Sequence, residues 1–111
     1  MPTANFYFLE KTKTSDLQIL VPELKAYLAE KLSCGDIKLS TDEISIRFIP
    51  VKGGKMIGDI ELEITAHAFP ERVKKQDEIC LEVASYLKEK LPFLGEVKVW
   101  LKLSELGHSW K

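Results

Sequence analysis

The 111-residue chain has no apolar run approaching the roughly 20 residues that a membrane-spanning helix needs. Net charge is nearly absent too. Sixteen Lys and Arg against 17 Asp and Glu leave −1 at pH 7, with both signs mixed along the chain. A nucleic-acid binder normally carries a basic face or stripe, so the balance argues against that class. Cysteine is scarce: Cys34 and Cys80 lie far apart without metal-ligand spacing. They read as reduced thiols of a cytoplasmic protein. Histidine is equally sparse, and His67 and His108 form no metal pair at a standard spacing. There is no Ser/His/Asp grouping. Gly53-Gly54-Lys55 lacks Walker spacing and precedes no helix, so it is expected to be a hairpin turn rather than a phosphate loop. Lys11 and Lys13 follow the first apolar stretch instead of preceding it, the reverse of a signal peptide.

What is present is ordinary globular composition, 45% apolar and 30% charged, in a length suited to one domain with its own core. Thr3 to Leu9 (TANFYFL) is short and aromatic-rich, the pattern of a strand. Thr14-Ser15-Asp16 supplies N-cap chemistry for a helix whose Leu17, Leu20, Val21, Leu24, Leu28 and Leu32 recur on one face. Pro22 should kink that helix or mark the first turn of its main part, and Gly35 should close it in the left-handed conformation. Ile44 to Val51 (ISIRFIPV) is the second strand, and Met56 to Ala68 the third. In the third, Ile60, Leu62, Ile64 and Ala66 alternate with Asp59, Glu61, Glu63, Thr65 and His67. Pro70 opens a second helix with Val73, Cys80, Val83, Leu87 and Leu91 as its buried stripe. Pro92 and Gly95 end it, and Glu96 to Leu103 (EVKVWLKL) is the last strand.

The order β-α-β-β-α-β predicts an α+β (α/β) fold: a four-stranded mixed sheet with two helices on one face. The chain divides into two pseudo-repeated βαβ halves, about 1–52 and 56–106, with a tail at 107–111 whose Trp110 is expected to dock on a neighbouring subunit or strand edge. The sheet's other face carries Glu61, Glu63, His67, Lys98 and Trp100, which suits a binding platform or an oligomer interface. Two folds use this order, the ferredoxin-like fold and that of the tautomerase superfamily.

The chain resembles the tautomerase superfamily along most of its length. Met1-Pro2 runs directly into a strand, as in that superfamily. SIRFIPV (Ser45 to Val51) resembles its second-strand motif, in which an arginine at the position of Arg47 serves the active site. ITAHAFPER (Ile64 to Arg72) resembles the third-strand exit of the macrophage migration inhibitory factor branch, with its histidine at His67. KVWLKLSEL (Lys98 to Leu106) is similar to the last strand of carboxymethyl-hydroxymuconate isomerase.

The resemblance implies a cofactor-free, metal-free isomerase, a homotrimer acting on a small carboxylate substrate with Pro2 as general base. A terminal proline nitrogen is a secondary amine; α-amino groups titrate near 7.7–8.0, and an apolar pocket lowers this further. Such a base can take a proton from carbon or an enol oxygen and return it elsewhere. It must be free, because an attached Met1 would make it a tertiary amide without basicity. Arg47 is the implied carboxylate clamp, with an ion pair to Glu43 or Glu61 as its structural alternative. Lys98 stands where the migration inhibitory factor branch has an active-site tyrosine, and Trp100 where the family has an asparagine. These departures argue against simply transferring that branch's phenylpyruvate-type activity, although both residues suit an acidic or aromatic acid. Phe69 occupies the position of a backbone N–H donor to substrate. His67 is either a general acid or a satisfied structural group. Arg72 is either a second clamp or a first-turn surface arginine. Lys38 corresponds to a family lysine across a longer loop, and Lys11 and Lys13 read as solvated. The rival function is a non-catalytic βαββαβ binding module, ferredoxin-like or an inactive tautomerase relative. Parallel pairing of the first two strands separates the two folds.

Overall fold

The computed structural model describes residues 2–35 and 38–105. Strand β1 is Thr3–Leu9; helices α1, Ser15–Ile19, and α2, Val21–Leu32, follow it. After a 3₁₀ turn at Thr41–Glu43 come β2, Ser45–Val51, and β3, Ile60–His67. Helices α3, Pro70–Lys74, and α4, Gln76–Lys90, lead into β4, Val97–Ser104. The four strands form one mixed sheet in the order β2-β1-β3-β4. β1 is parallel to β2 and antiparallel to β3, and β3 is parallel to β4. The parallel β1–β2 pair excludes the ferredoxin-like alternative.

This order corrects one expectation. β2 and β3 lie on opposite sides of β1, so Gly53-Gly54 is not a hairpin turn. It belongs to a connection that passes the end of β1, with Gly54 at φ +95°. β3 begins at Ile60, later than the apolar pattern suggests. Before it, the Ile57 and Asp59 N–H groups donate to Glu61 Oε2 and the Glu96 carbonyl, at 2.8 Å each.

Alternation places Ala4, Phe6, Ile60, Leu62, Ile64, Ala66 and Leu101 in the core, where all are buried. All but Ala66 share one apolar cluster with Leu17, Leu24, Leu28 and Leu32 of the first helical pair and Val83 and Leu87 of α4. Burying each large apolar side chain contributes about 1.5–3 kcal/mol relative to exposure. Pro22 stands in the first turn of α2, where its missing N–H is harmless, and the helix breaks just before it. Helix α2 ends with Ser33 as C-cap, its hydroxyl donating to the Ala29 carbonyl at 2.6 Å. Gly35 is left-handed at φ +54°, but it lies beyond the position that caps the helix.

The second helical stripe differs from its sequence pattern. A break at Lys75 separates α3 from α4, and the buried face runs through Arg72 rather than Val73. Ile79, Val83 and Leu87 are buried, while Val73 is 52% exposed and Arg72 is 3% exposed. Arg72 is therefore no surface residue.

Candidate functional site

Pro2 immediately precedes β1 and is buried. Its carbonyl accepts the Ser45 N–H at 3.2 Å, which ties it to the start of β2. Thr3 lies opposite Thr65, so continuing the antiparallel register brings Pro2 to Ala66, beside the end of β3. His67 is paired with Ser104 of β4, and the Ala68 N–H donates to the Ser104 carbonyl at 2.9 Å. One end of the sheet thus gathers the starts of β1 and β2 and the exits of β3 and β4.

The His67–Phe69 turn closes this end. The Phe69 N–H donates to the His67 carbonyl at 3.0 Å, so offering it to a substrate requires that turn to open. The two rings tilt against each other with centroids 4.5 Å apart. Arg72 enters from α3, which Pro70 starts. Its Nε donates to the Leu32 carbonyl at 2.8 Å and its Nη1 to the His67 carbonyl at 3.0 Å. Its guanidinium carbon is 4.9 Å from the Phe69 ring centroid, within cation–π range. Burial pushes the Arg72 guanidinium below its usual range, and the nearby Cys34 acts in the opposite direction. A cavity of about 280 Å³ borders this cluster, lined by Ser33, Cys34, Glu71, Arg72, Lys75 and Ile79 among others.

Arg47, Lys98 and Trp100 occupy the sheet face turned away from the helices. Arg47 lies opposite Asn5, Asn5 opposite Glu63, and Glu63 opposite Trp100, so the four form one row across the sheet. That row is three residues along β1 from Pro2, about 10 Å at the usual strand rise. Lys98 is opposite Glu61, itself opposite Tyr7, a further two residues away. Its ammonium is held by Glu96 Oε1 at 2.6 Å. Arg47 is exposed, and among the described residues it makes no ion pair with Glu43, Glu61 or any other carboxylate. Tyr7, Glu61, Glu63, Trp100 and Lys102 line a shallow cavity of about 300 Å³ on this face. The Glu63–Lys102 ion pair, at 3.3 Å, lies along it. Asn5 Oδ1 is buried within the row without a hydrogen-bond partner among the described residues.

A single chain therefore sets Pro2, His67 and Phe69 at the same end of the sheet, with the row of Arg47 and Trp100, and Lys98 beyond it, farther along. Sequence reasoning left the buried state of Arg72 open, because a charged residue in a first helical turn ordinarily faces water. Lys11, Lys13 and Lys38 are exposed, as solvated residues are. Cys34 and Cys80 are free thiols. Met1, His108 and Trp110 lie outside the described residues. Among the described residues no cluster of His, Cys, Asp and Glu could hold a metal ion, and no helix is long and apolar enough to cross a membrane.

No family model matches the chain, and no curated protein sequence matches it. Solved structures do. A protein of unknown function from Vibrio cholerae superposes with a TM-score of 0.69 at 14% identity, covering 99% of this chain and 83% of its own. A macrophage migration inhibitory factor-like protein from Entamoeba histolytica gives a TM-score of 0.62 at 15% identity, covering 97% and 95%. A fused 4-OT wild-type asymmetric trimer gives 0.61 at 15% identity, covering 98% and 94%. The likeness is one of fold, shared with the macrophage migration inhibitory factor-like protein and the fused 4-OT chain.

Proposed function

We propose that this chain is a cofactor-independent tautomerase or isomerase that moves a proton within a small unsaturated keto or hydroxy acid. Pro2, freed of Met1, is the general base. The observation that carries this reading is the burial of Pro2 at the closed end of a tautomerase-fold sheet. Apolar surroundings disfavour the ammonium form, which poises a secondary amine near neutral pH for proton shuttling. His67 and Phe69 border the proline and shape the dry side of the pocket. Arg47 binds the substrate carboxylate, and Lys98 and Trp100 contribute cationic and aromatic surface.

Arg47 and Trp100 stand about 10 Å along the sheet from their own proline, on the opposite face. They serve the reaction from a neighbouring copy, which makes the active form a homotrimer. The uncovered sheet face, with Trp100 40% exposed, supports that assembly. So does the trimeric state of the fused 4-OT structure with the same fold.

Intact mass of the native protein tests whether Met1 is removed. Ultraviolet assay of enol-to-keto conversion on hydroxymuconate and phenylpyruvate then tests the activity. Pro2→Ala should lower kcat/KM by about 100-fold or more, the scale of a lost general base. A Met1-free protein whose Pro2→Ala variant keeps the full rate does not work by this route. A native protein that retains Met1 is the inactive relative instead.

A further inference from the structure

We infer that Arg72 is a positioning residue for the Pro2 site, a guanidinium fork that clips the end of α2 to the turn leaving β3. The inference rests on the tautomerase reading for its catalytic meaning, and on geometry for the clip itself. Two backbone carbonyls from elements 35 positions apart in sequence, Leu32 and His67, accept hydrogen bonds from one side chain. The Leu32 carbonyl belongs to the last turn of a helix, where carbonyls have no partner within the helix. The His67 carbonyl already accepts the Phe69 N–H, so the same oxygen anchors both the turn and the arginine.

Arg72 is 3% exposed, and no described carboxylate lies within ion-pair distance of it. Removing a cation from water without a counter-charge is costly. An apolar residue would fill the same space without that penalty, but it could not donate to two carbonyls at once. The planar guanidinium does so in fixed geometry, whereas a lysine ammonium is a single point on a flexible stem. Its face also lies against Phe69, the residue next in line after the His67–Ala68 turn. The turn that borders Pro2 is therefore held from two sides by one side chain. Loosening it displaces the wall of the pocket without removing any group that touches substrate.

The test uses the full chain with Arg72→Lys and Arg72→Met, assayed well below each variant's melting temperature. Arg72→Lys keeps the charge, so it carries the test should Arg72→Met fail to fold. Backbone amide exchange at Ala68 and Phe69 should quicken by about tenfold or more in Arg72→Lys, while Val83 and Leu87 in α4 keep their protection. Its kcat should fall about 10- to 100-fold with KM within about twofold, as displacement of a reacting geometry does. Unchanged exchange, or wild-type kcat in Arg72→Lys, overturns the positioning role and leaves the tautomerase reading intact. A Met1-free wild type without Pro2-dependent turnover overturns the tautomerase reading, and the exchange measurement then decides the clip alone.

Discussion

Tyr27 of α2 and Tyr86 of α4 stack with ring centroids 3.9 Å apart and planes 17° from parallel. The Tyr27 hydroxyl donates to the Glu82 carbonyl at 3.1 Å, and Lys31 pairs with Glu82. The two main helices thus meet over the sheet through a stacked pair on their outer side. A double-mutant cycle with Tyr27→Ala and Tyr86→Ala should give a coupling of about 0.5–1.5 kcal/mol in urea unfolding. Additive single-mutant effects would mean that the stack holds nothing together.

Gly95 has φ +94°, and a Cβ there would lie 2.5 Å from Asp59 Oδ2. That carboxylate accepts the Glu96 N–H at 2.7 Å and joins the start of β4 to the approach to β3. Gly95→Ala should destabilise by about 1–3 kcal/mol, because it adds both backbone strain and a clash. Gly53 has open space around its Cβ position and no positive φ. Gly53→Ala should leave the melting temperature unchanged or slightly raised. Equal effects at the two glycines would contradict this placement.

The burial of Arg72 in place of Val73 makes a prediction that the expected apolar stripe does not. Leu87→Ala should cost about 2–5 kcal/mol, as a large core truncation does. Val73→Ser, on an exposed side chain, should change stability by no more than about 0.5 kcal/mol. A large loss at Val73 would restore it to the buried stripe.

Alkaline pH should weaken the fold in two stages. Burial pushes up the Cys80 thiol, opposed by a backbone bond at Leu101, and burial also pushes up the phenols of Tyr27 and Tyr86. Each group keeps its proton to higher pH folded than unfolded. Its stabilising contribution is thus complete below the unfolded pKa and is lost as pH rises through the folded one. Urea midpoints should start to decline near pH 9, where an unfolded thiol ionises, and fall again above about pH 10. Cys80→Ala should remove the first stage only. A midpoint that stays flat to pH 11 would argue against all three half-buried groups.

Arg47 separates stability from function. Because it is exposed and without an ion pair among the described residues, Arg47→Ala should alter stability by no more than about 0.5 kcal/mol. Its kcat/KM for an acidic substrate should nevertheless drop about 10-fold or more, the worth of a charge-assisted hydrogen bond. Michaelis constant and turnover both at wild-type values would remove it from the site.

Element type and facing could be read from the chain because they depend on local period. β1 has the expected bounds, and Ile60, Leu62, Ile64 and Ala66 all face the core, since neighbouring strand residues must point to opposite sides. Pro22 and Pro70 mark first helical turns through chemistry carried by the residue itself. Three matters were settled only by long-range packing. The order β2-β1-β3-β4 sets β1 between the strands that Gly53-Gly54 connects, and no local pattern distinguishes that connection from a hairpin. Arg72, seven residues before Ile79, takes the core-facing place expected of Val73, because the helix face is set by packing against the sheet and α2. Arg72 becomes buried because Leu32 and His67, distant in sequence, each leave a carbonyl within its reach.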